Sequence, residues 1–293
     1  MTPRDRFMGT LTFQDVPVPN VEIALWQQTM ERWLAEGMPA EAGGVTMYGN
    51  PYFGLEGYDT LYLDAIQPNP PVPYRELAED EETVTFIDTM GRTRTALKTG
   101  TVHGQRMSMD TYLRFAVYDR ESFQSFKQYY LGPVLDRYPA DWQEKVTALK
   151  ASDKPLTLLD PLAGTFGYYS MLRNWMGTEG VSYLLYDDPG LIEACLEFLT
   201  EFAMRVLTPA IESLTFDFYY IHEDMSYKNG PLVSPAIFKK YFVPHYERFI
   251  RFLKGHGITV VLVDTDGNHD VLTPLFLDSG NVTLDFIAKF LWV

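Results

Sequence analysis

Two runs in this chain, one aliphatic and one largely aromatic, end abruptly in acids, and they constrain the fold more than any other feature. Val260-Val261-Leu262-Val263 stops at Asp264-Thr265-Asp266-Gly267. Tyr219-Tyr220-Ile221 stops at His222-Glu223-Asp224. A short unbroken run of Val and Leu reads as a strand buried on both faces, as in a parallel sheet. Strand side chains alternate, so carboxylates at i and i+2 point the same way. Neighbouring strands lie about 5 Å apart. If both runs are parallel strands, their acids converge on one rim. In α/β barrels that rim carries the chemistry.

The surrounding pattern supports parallel strands. Strand and helix signals alternate from Pro155 onward. A strand over Leu156–Leu159 precedes a helix near Thr165–Trp175 and a long helix over Asp188–Leu214. A strand over Phe216–Ile221 follows. Ser234 with Pro235 starts a helix to about Lys254, closed by Gly255-His256-Gly257. Then come a strand over Ile258–Val263, a helix over His269–Leu277 and a further strand over Val282–Ile287. Such alternation implies right-handed crossovers between parallel strands.

The first half is less regular. Thr2 followed by Pro3 is an N-cap and first-turn pair for a helix ending near Leu11. Val21–Leu25 reads as a strand, and Trp26–Ala35 as a helix closed by Gly37. Residues 38–80 are rich in Gly and Pro and read as loop. Thr83–Asp88 and Thr93–Leu97 flank a turn with Gly91, an excursion near residues 83–98 that reads as a β-hairpin. Helices are expected over Glu121–Tyr130 and Asp141–Lys150. No linker separates two units, so one domain over residues 1–293 is expected.

Composition narrows the partners. The formal charge is −15, which argues against nucleic acid and anionic membranes. A small-molecule substrate is favoured instead. The chain holds one cysteine, Cys195, on the apolar face of a helix, so no internal disulfide can form. No signal-peptide core and no bilayer-length apolar run is present. A cytoplasmic location is the expectation.

Several residues can carry chemistry. Four acids, Glu223, Asp224, Asp264 and Asp266, repel one another unless a cation or shared protons compensate, which suits general acid–base work or a metal. Asp264, Asp266 and Glu223 are candidate ligands for a divalent metal such as Zn, Mg or Mn. The plainer alternative is capping and turn formation, since Asp-Gly is a common turn pair. His222 is a candidate ligand, substrate donor or satisfied core histidine. His245 reads as structural, and His103 and His269 fall in loop or helix-start positions. Tyr220 and Trp26 can line an apolar pocket. Arg137 and Lys228 are candidate anion contacts, or surface ion-pair residues.

The chain resembles the uroporphyrinogen decarboxylase superfamily, which includes corrinoid and coenzyme M methyltransferases of (β/α)8 fold. The resemblance runs from Arg137-Tyr138-Pro139 to Gly280. It includes Gly177-Thr178-Glu179-Gly180, Asp187-Asp188-Pro189, the stretch from Glu223-Asp224 to Lys228, Gly230-Pro231, Ser234-Pro235, Phe242-Val243-Pro244 and Asp264-Thr265-Asp266-Gly267. Thr2-Pro3-Arg4-Asp5-Arg6-Phe7 and Glu36-Gly37-Met38-Pro39 add to it. The decarboxylases hold porphyrinogen with paired arginines, whereas Arg32 is the only arginine in residues 15–60 here. The methyltransferases carry His-x-Cys-Gly where this chain has Asp264-Thr265-Asp266-Gly267, so the soft zinc ligand is lost.

The resemblance implies a TIM barrel and a methyltransferase-like enzyme. It would act on a small methylated substrate, with a corrinoid protein or a thiol as acceptor. Decarboxylation of a small carboxylated substrate is the alternative. A non-catalytic binding protein or inactive fragment is the third. Counted this way, Val282–Ile287 is the seventh strand and no eighth βα unit follows. The expected barrel is therefore incomplete at its C-terminus, and its open edge predicts a homodimer or poor solubility.

Overall fold

The computed structural model describes residues 1–20, 27–42, 51–63, 67–102, 105–106, 110–158 and 166–279. Helix α1 (Pro3–Leu11) starts as expected, with a capping box between Thr2 and Asp5. Helix α2 (Gln27–Ala35) ends before Gly37, whose φ of 107° suits a residue without Cβ. The expected strand Val21–Leu25 and the pocket residue Trp26 lie outside the described residues. So do His103 and the expected strand Val282–Ile287.

Strand β1 (Asp59–Leu61) is followed by an antiparallel insertion. Its members are β2 (Arg75–Glu79), β3 (Thr83–Ile87), β4 (Thr93–Leu97) and, after the small pair β5 (Thr101–Val102) and β6 (Gln105–Arg106), β7 (Thr111–Arg114). The order is β2-β3-β4-β7. The expected hairpin is therefore the centre of a four-stranded sheet. Both outer strands are exposed at every residue, so they carry no alternation for a sequence reading to detect. Asp88 fixes the hairpin turn, accepting from the Met90 and Arg92 amides and from the Arg92 side chain.

Helices α3 (Arg120–Phe126) and α4 (Trp142–Leu149) lead to β8 (Leu156–Leu158). Next come α5 (Tyr168–Asp187), α6 (Pro189–Ser213) and β9 (Phe218–His222). A two-residue ribbon of β10 (Ser226–Tyr227) and β11 (Gly230–Pro231) precedes α7 (Pro235–Ile237), α8 (Val243–Gly255), β12 (Val260–Asp264) and α9 (Thr273–Asp278). Helix α5 runs twelve residues past its expected end at Trp175, because Val181 and Leu185 continue the buried stripe. The expected stop is visible as a break: Gly177 has φ 77°, and a Cβ there would lie 2.3 Å from the Phe115 ring. The helix expected over Ser234–Lys254 is capped by Ser234 as expected, but a π turn over Phe238–Phe242 interrupts it. Pro244 explains the interruption, since its ring cannot sit against the carbonyl four residues back.

Strands β1, β8, β9 and β12 form one parallel sheet in that order. Consecutive strands being neighbours is the order a (β/α) barrel uses. The described residues contain these four parallel strands and no closed barrel. The closed part of the TIM-barrel expectation is thus not met by the described residues. One face of the sheet packs Tyr219, Ile221, Val261 and Val263 against the helices in the main core. The other face packs Phe218, Val260 and Leu262 against Phe7 and Leu11 of α1 and against Tyr58. Phe7 and Phe218 pack with ring centroids 4.9 Å apart. So α1 covers the amino end of that face and leaves the carboxyl end to His222 and Asp264. Cys195 lies fully buried in α6, and burial pushes its thiol pKa upward. No helix among the described residues is long and apolar enough to cross a membrane.

Candidate functional site

Alternation along β9 decides which residues reach the carboxyl edge on the α1-facing side. Phe218, Tyr220 and His222 share one face, with Phe218 and Tyr220 packed in the smaller apolar cluster. On β12 the matching set is Val260, Leu262 and Asp264. Asp264 and His222 are direct register partners across the two strands. Their side chains meet, with Nδ1 of His222 3.4 Å from Oδ2 of Asp264. On the other side of the ring, Nε2 lies 3.7 Å from Oδ1 of Asp224. The imidazole therefore stands between two carboxylates.

Helix α5 supplies a residue that no sequence motif singles out. Arg173 donates from Nη2 to Oδ2 of Asp224 at 2.7 Å and from Nη1 to its carbonyl oxygen at 3.2 Å. An arginine on a helix has no signature of its own, and only the approach of α5 to the end of β9 makes it a site residue. Ser170, one turn earlier, accepts from the Asp224 amide through Oγ at 3.0 Å.

The loop after β12 brings Asp266 to the same place. Gly267 has φ 79°, and a Cβ on it would lie 2.8 Å from the Ser226 and Tyr227 backbone. That contact lets the loop cross tightly over β10, where the Asn268 amide donates to the Tyr227 carbonyl. Thr265 is buried, and its Oγ1 lies 3.4 Å from the Met225 amide.

Charge at this edge is unevenly compensated. Burial raises the Asp266 pKa, and the charges of Asp224 and Asp264 raise it further. For His222, burial disfavours the charged ring. The Asp264 contact and the charges of Asp224, Asp264 and Glu223 outweigh it, and the net shift is upward. His222 thus holds its proton to higher pH than a free histidine.

Glu223 does not join the rim. It follows His222 by one residue, so it points to the opposite face, and it is fully buried. Its carboxylate accepts from the Tyr169 and Ser170 amides at 3.1 and 3.0 Å and from the Tyr246 hydroxyl. The expected metal set of Asp264, Asp266 and Glu223 loses this member. Among the described residues no three His, Cys, Asp or Glu side chains are grouped to hold a metal ion.

The remaining candidates fall elsewhere. Arg137 is 3% exposed in a short helical turn, Val134–Arg137. It donates to the Gln67 and Tyr129 carbonyls and stacks over the Phe202 ring at 4.8 Å. It is a buried residue whose planar fork meets carbonyls and rings. Lys228 is exposed in the turn between β10 and β11. His245 pairs its Nδ1 with Thr200 Oγ1 at 2.9 Å, and burial depresses its pKa. His269 is buried with Nδ1 3.1 Å from the Gly267 carbonyl, supporting the Asp266 loop.

No protein-family model matches the chain, and no curated protein matches it in sequence. In structure the chain is similar to a methyltransferase from Methanosarcina mazei, at a TM-score of 0.54 and 13% identity. The match covers 97% of this chain and 75% of the other. At that identity the likeness is one of fold, an α/β fold around a parallel sheet whose carboxyl edge here carries His222, Asp224, Asp264 and Asp266.

Proposed function

We propose that the chain is a methyltransferase-like enzyme. It takes a methyl group from a small methylated substrate and passes it to a thiol or to a corrinoid protein. The observation that carries this reading is His222 held between Asp224 and Asp264, at the carboxyl edge of a fold shared with a methyltransferase.

In such a transfer the bond from methyl carbon to the substrate heteroatom breaks, and a bond from that carbon to the acceptor nucleophile forms. The heteroatom leaves more readily as a neutral amine, alcohol or thiol than as the corresponding anion, so a proton must reach it as the bond breaks. His222 supplies that proton to the heteroatom, and the two flanking carboxylates favour the imidazolium that gives it. Asp266 offers an acceptor for a substrate N–H or O–H. Tyr220, on the same face as His222, offers the methylated substrate an apolar surface. Arg173 neutralises Asp224, so the acids do not simply repel one another.

Decarboxylation of a carboxylated substrate is served less well. Arg173 is committed to Asp224 and Arg137 to the core. Glu223 is equally committed, since its carboxylate already has three protein donors and is not free to hold a metal.

A thermal-shift screen of methylated amines, ethers and thiols tests the reading, followed by transfer of labelled methyl to thiol or corrinoid-protein acceptors. The expected result is stabilisation by a methylated compound and a transfer rate that falls about 10²–10⁴-fold in His222→Asn. Stabilisation without transfer to either acceptor would mark a binding protein. No stabilisation and no transfer would overturn the proposal.

A further inference from the structure

Glu223 is the one acid of the two clusters that the proposed chemistry leaves unused, and it is the most deeply buried. We infer that Glu223 is a positioning residue: its carboxylate ties the end of β9 to α5 and α8, and thereby sets His222 against Asp264. The inference rests on the functional reading above only for the importance of His222.

The tie has four strands of support. Residues i−1 and i+1 of Glu223 are His222 and Asp224, so fixing Glu223 on the helix side fixes both neighbours toward the substrate side. The carboxylate sits at the start of α5 and takes the Tyr169 and Ser170 amides, which no intrahelical carbonyl can satisfy. Tyr246 adds a hydroxyl donor from α8. Gly167, just before α5, has no space for a side chain: a Cβ would lie 2.0 Å from the His222 carbonyl oxygen and 2.8 Å from Cδ of Glu223. The helix start and the strand end are therefore in direct contact, and α5 also reaches Asp224 through Ser170 Oγ and Arg173. Removing the Glu223 carboxylate would leave two amide donors and a phenol buried without an acceptor, and the local chain would rearrange to satisfy them.

Removing a purely stabilising buried acid would lower the melting temperature and leave the His222–Asp264 contact intact. Removing a positioning residue would weaken that contact. The charged groups around His222 are Asp224 from the end of β9, Asp264 and Asp266 from β12 and its loop, and Arg173 from α5, with Glu223 acting on it from the opposite face. Loss of the Glu223 charge alone would move the His222 titration, so a single variant is ambiguous. A double-mutant cycle removes that ambiguity.

The experiment uses the full chain with ring-labelled histidine, with the His222 signal assigned by its absence in His222→Gln. The shift in His222 titration midpoint caused by Asp264→Asn is measured in the wild type, in Glu223→Gln and in Tyr246→Phe. Tyr246→Phe keeps the Glu223 carboxyl and removes one donor, which pushes the raised Glu223 pKa further up. The expected result is that the Asp264→Asn shift at least halves in both backgrounds, with the folded far-UV spectrum retained. An undiminished shift in folded Tyr246→Phe and Glu223→Gln would overturn the inference. If Glu223→Gln does not fold, Tyr246→Phe decides alone. The readout uses no substrate, so a wild type that transfers no methyl group sinks the functional reading and leaves this one to stand or fall on its own.

Discussion

His222 and Asp264 are register partners on adjacent parallel strands, and their side chains meet with Nδ1 3.4 Å from Oδ2. The contact is local to the strand ends, yet it helps raise the pKa of His222, a side chain whose charge changes near neutral pH. Because the folded protein raises the His222 pKa, the stabilisation is fully present below the unfolded histidine value. It is lost as pH rises through the folded value. Asp264→Asn should therefore destabilise the protein by about 0.5–1 kcal/mol at pH 5.5, given that both side chains are partly exposed. At pH 9 that loss should be gone, and relief of the Asp264–Asp266 repulsion should leave the variant at least as stable as the wild type. Thermal melts across that range check this, and an equal difference at both ends would rule out the charged pair.

The same strand ends show how much of the site is legible in the sequence. The apolar runs ending in acids place β9 and β12 to within two residues, because largely buried parallel strands leave an unbroken apolar signature. The i, i+2 rule places Asp264 and Asp266 together, and Asp266 does sense the charge of Asp264. Applied to Glu223 and Asp224, the same rule separates them, since adjacent strand residues face opposite sides. Arg173 is not readable, because its role depends on where α5 meets β9. Arg137 reads as an anion contact for the opposite reason: its charge is visible in sequence and its burial under Phe202 is not. The outer strands of the antiparallel insertion are hidden because exposure at every position removes the two-residue rhythm.

Arg173 and Asp224 form the ion pair that joins α5 to this edge, with both side chains about 30% exposed. Partial exposure limits its strength, so a double-mutant cycle of Arg173→Ala and Asp224→Ala should give a coupling of about 0.5–1 kcal/mol. Arg173→Lys should recover less than half of it, because lysine cannot reach both the carboxylate and the Asp224 carbonyl as a planar fork. Denaturant unfolding of the variants measures both. Full recovery by lysine would show that charge alone matters.

Gly267 is held at φ 79° with its Cα hydrogens against the Ser226 and Tyr227 backbone. A methyl group there faces both an unfavourable backbone region and a 2.8 Å contact with main-chain atoms that cannot rotate away. Gly267→Ala should cost about 2–4 kcal/mol. That corresponds to a fall of roughly 3–7 °C in melting temperature for a chain of this size. Stabilisation by a bound methylated compound should also weaken, because the loop carries Asp266. A variant that melts with the wild type would show that the loop is free to move off β10.

Asp266 is a destabilising acid by the same physics that makes it useful. Burial raises its pKa first, and the Asp224 and Asp264 charges add to that. A carboxyl with a raised folded pKa binds its proton more tightly in the folded state than in the unfolded one. The resulting penalty is fully present above the folded value and disappears below the ordinary aspartate range. Asp266→Asn should therefore raise the melting temperature at pH 7 and leave it unchanged at pH 3. If Asp266 lines the substrate pocket, the same substitution should reduce stabilisation by the methylated compound, a gain in stability at the expense of binding. Lower stability of Asp266→Asn at pH 7, or an equal change at both pH values, would instead make Asp266 a turn-capping residue with no share in the acidic edge.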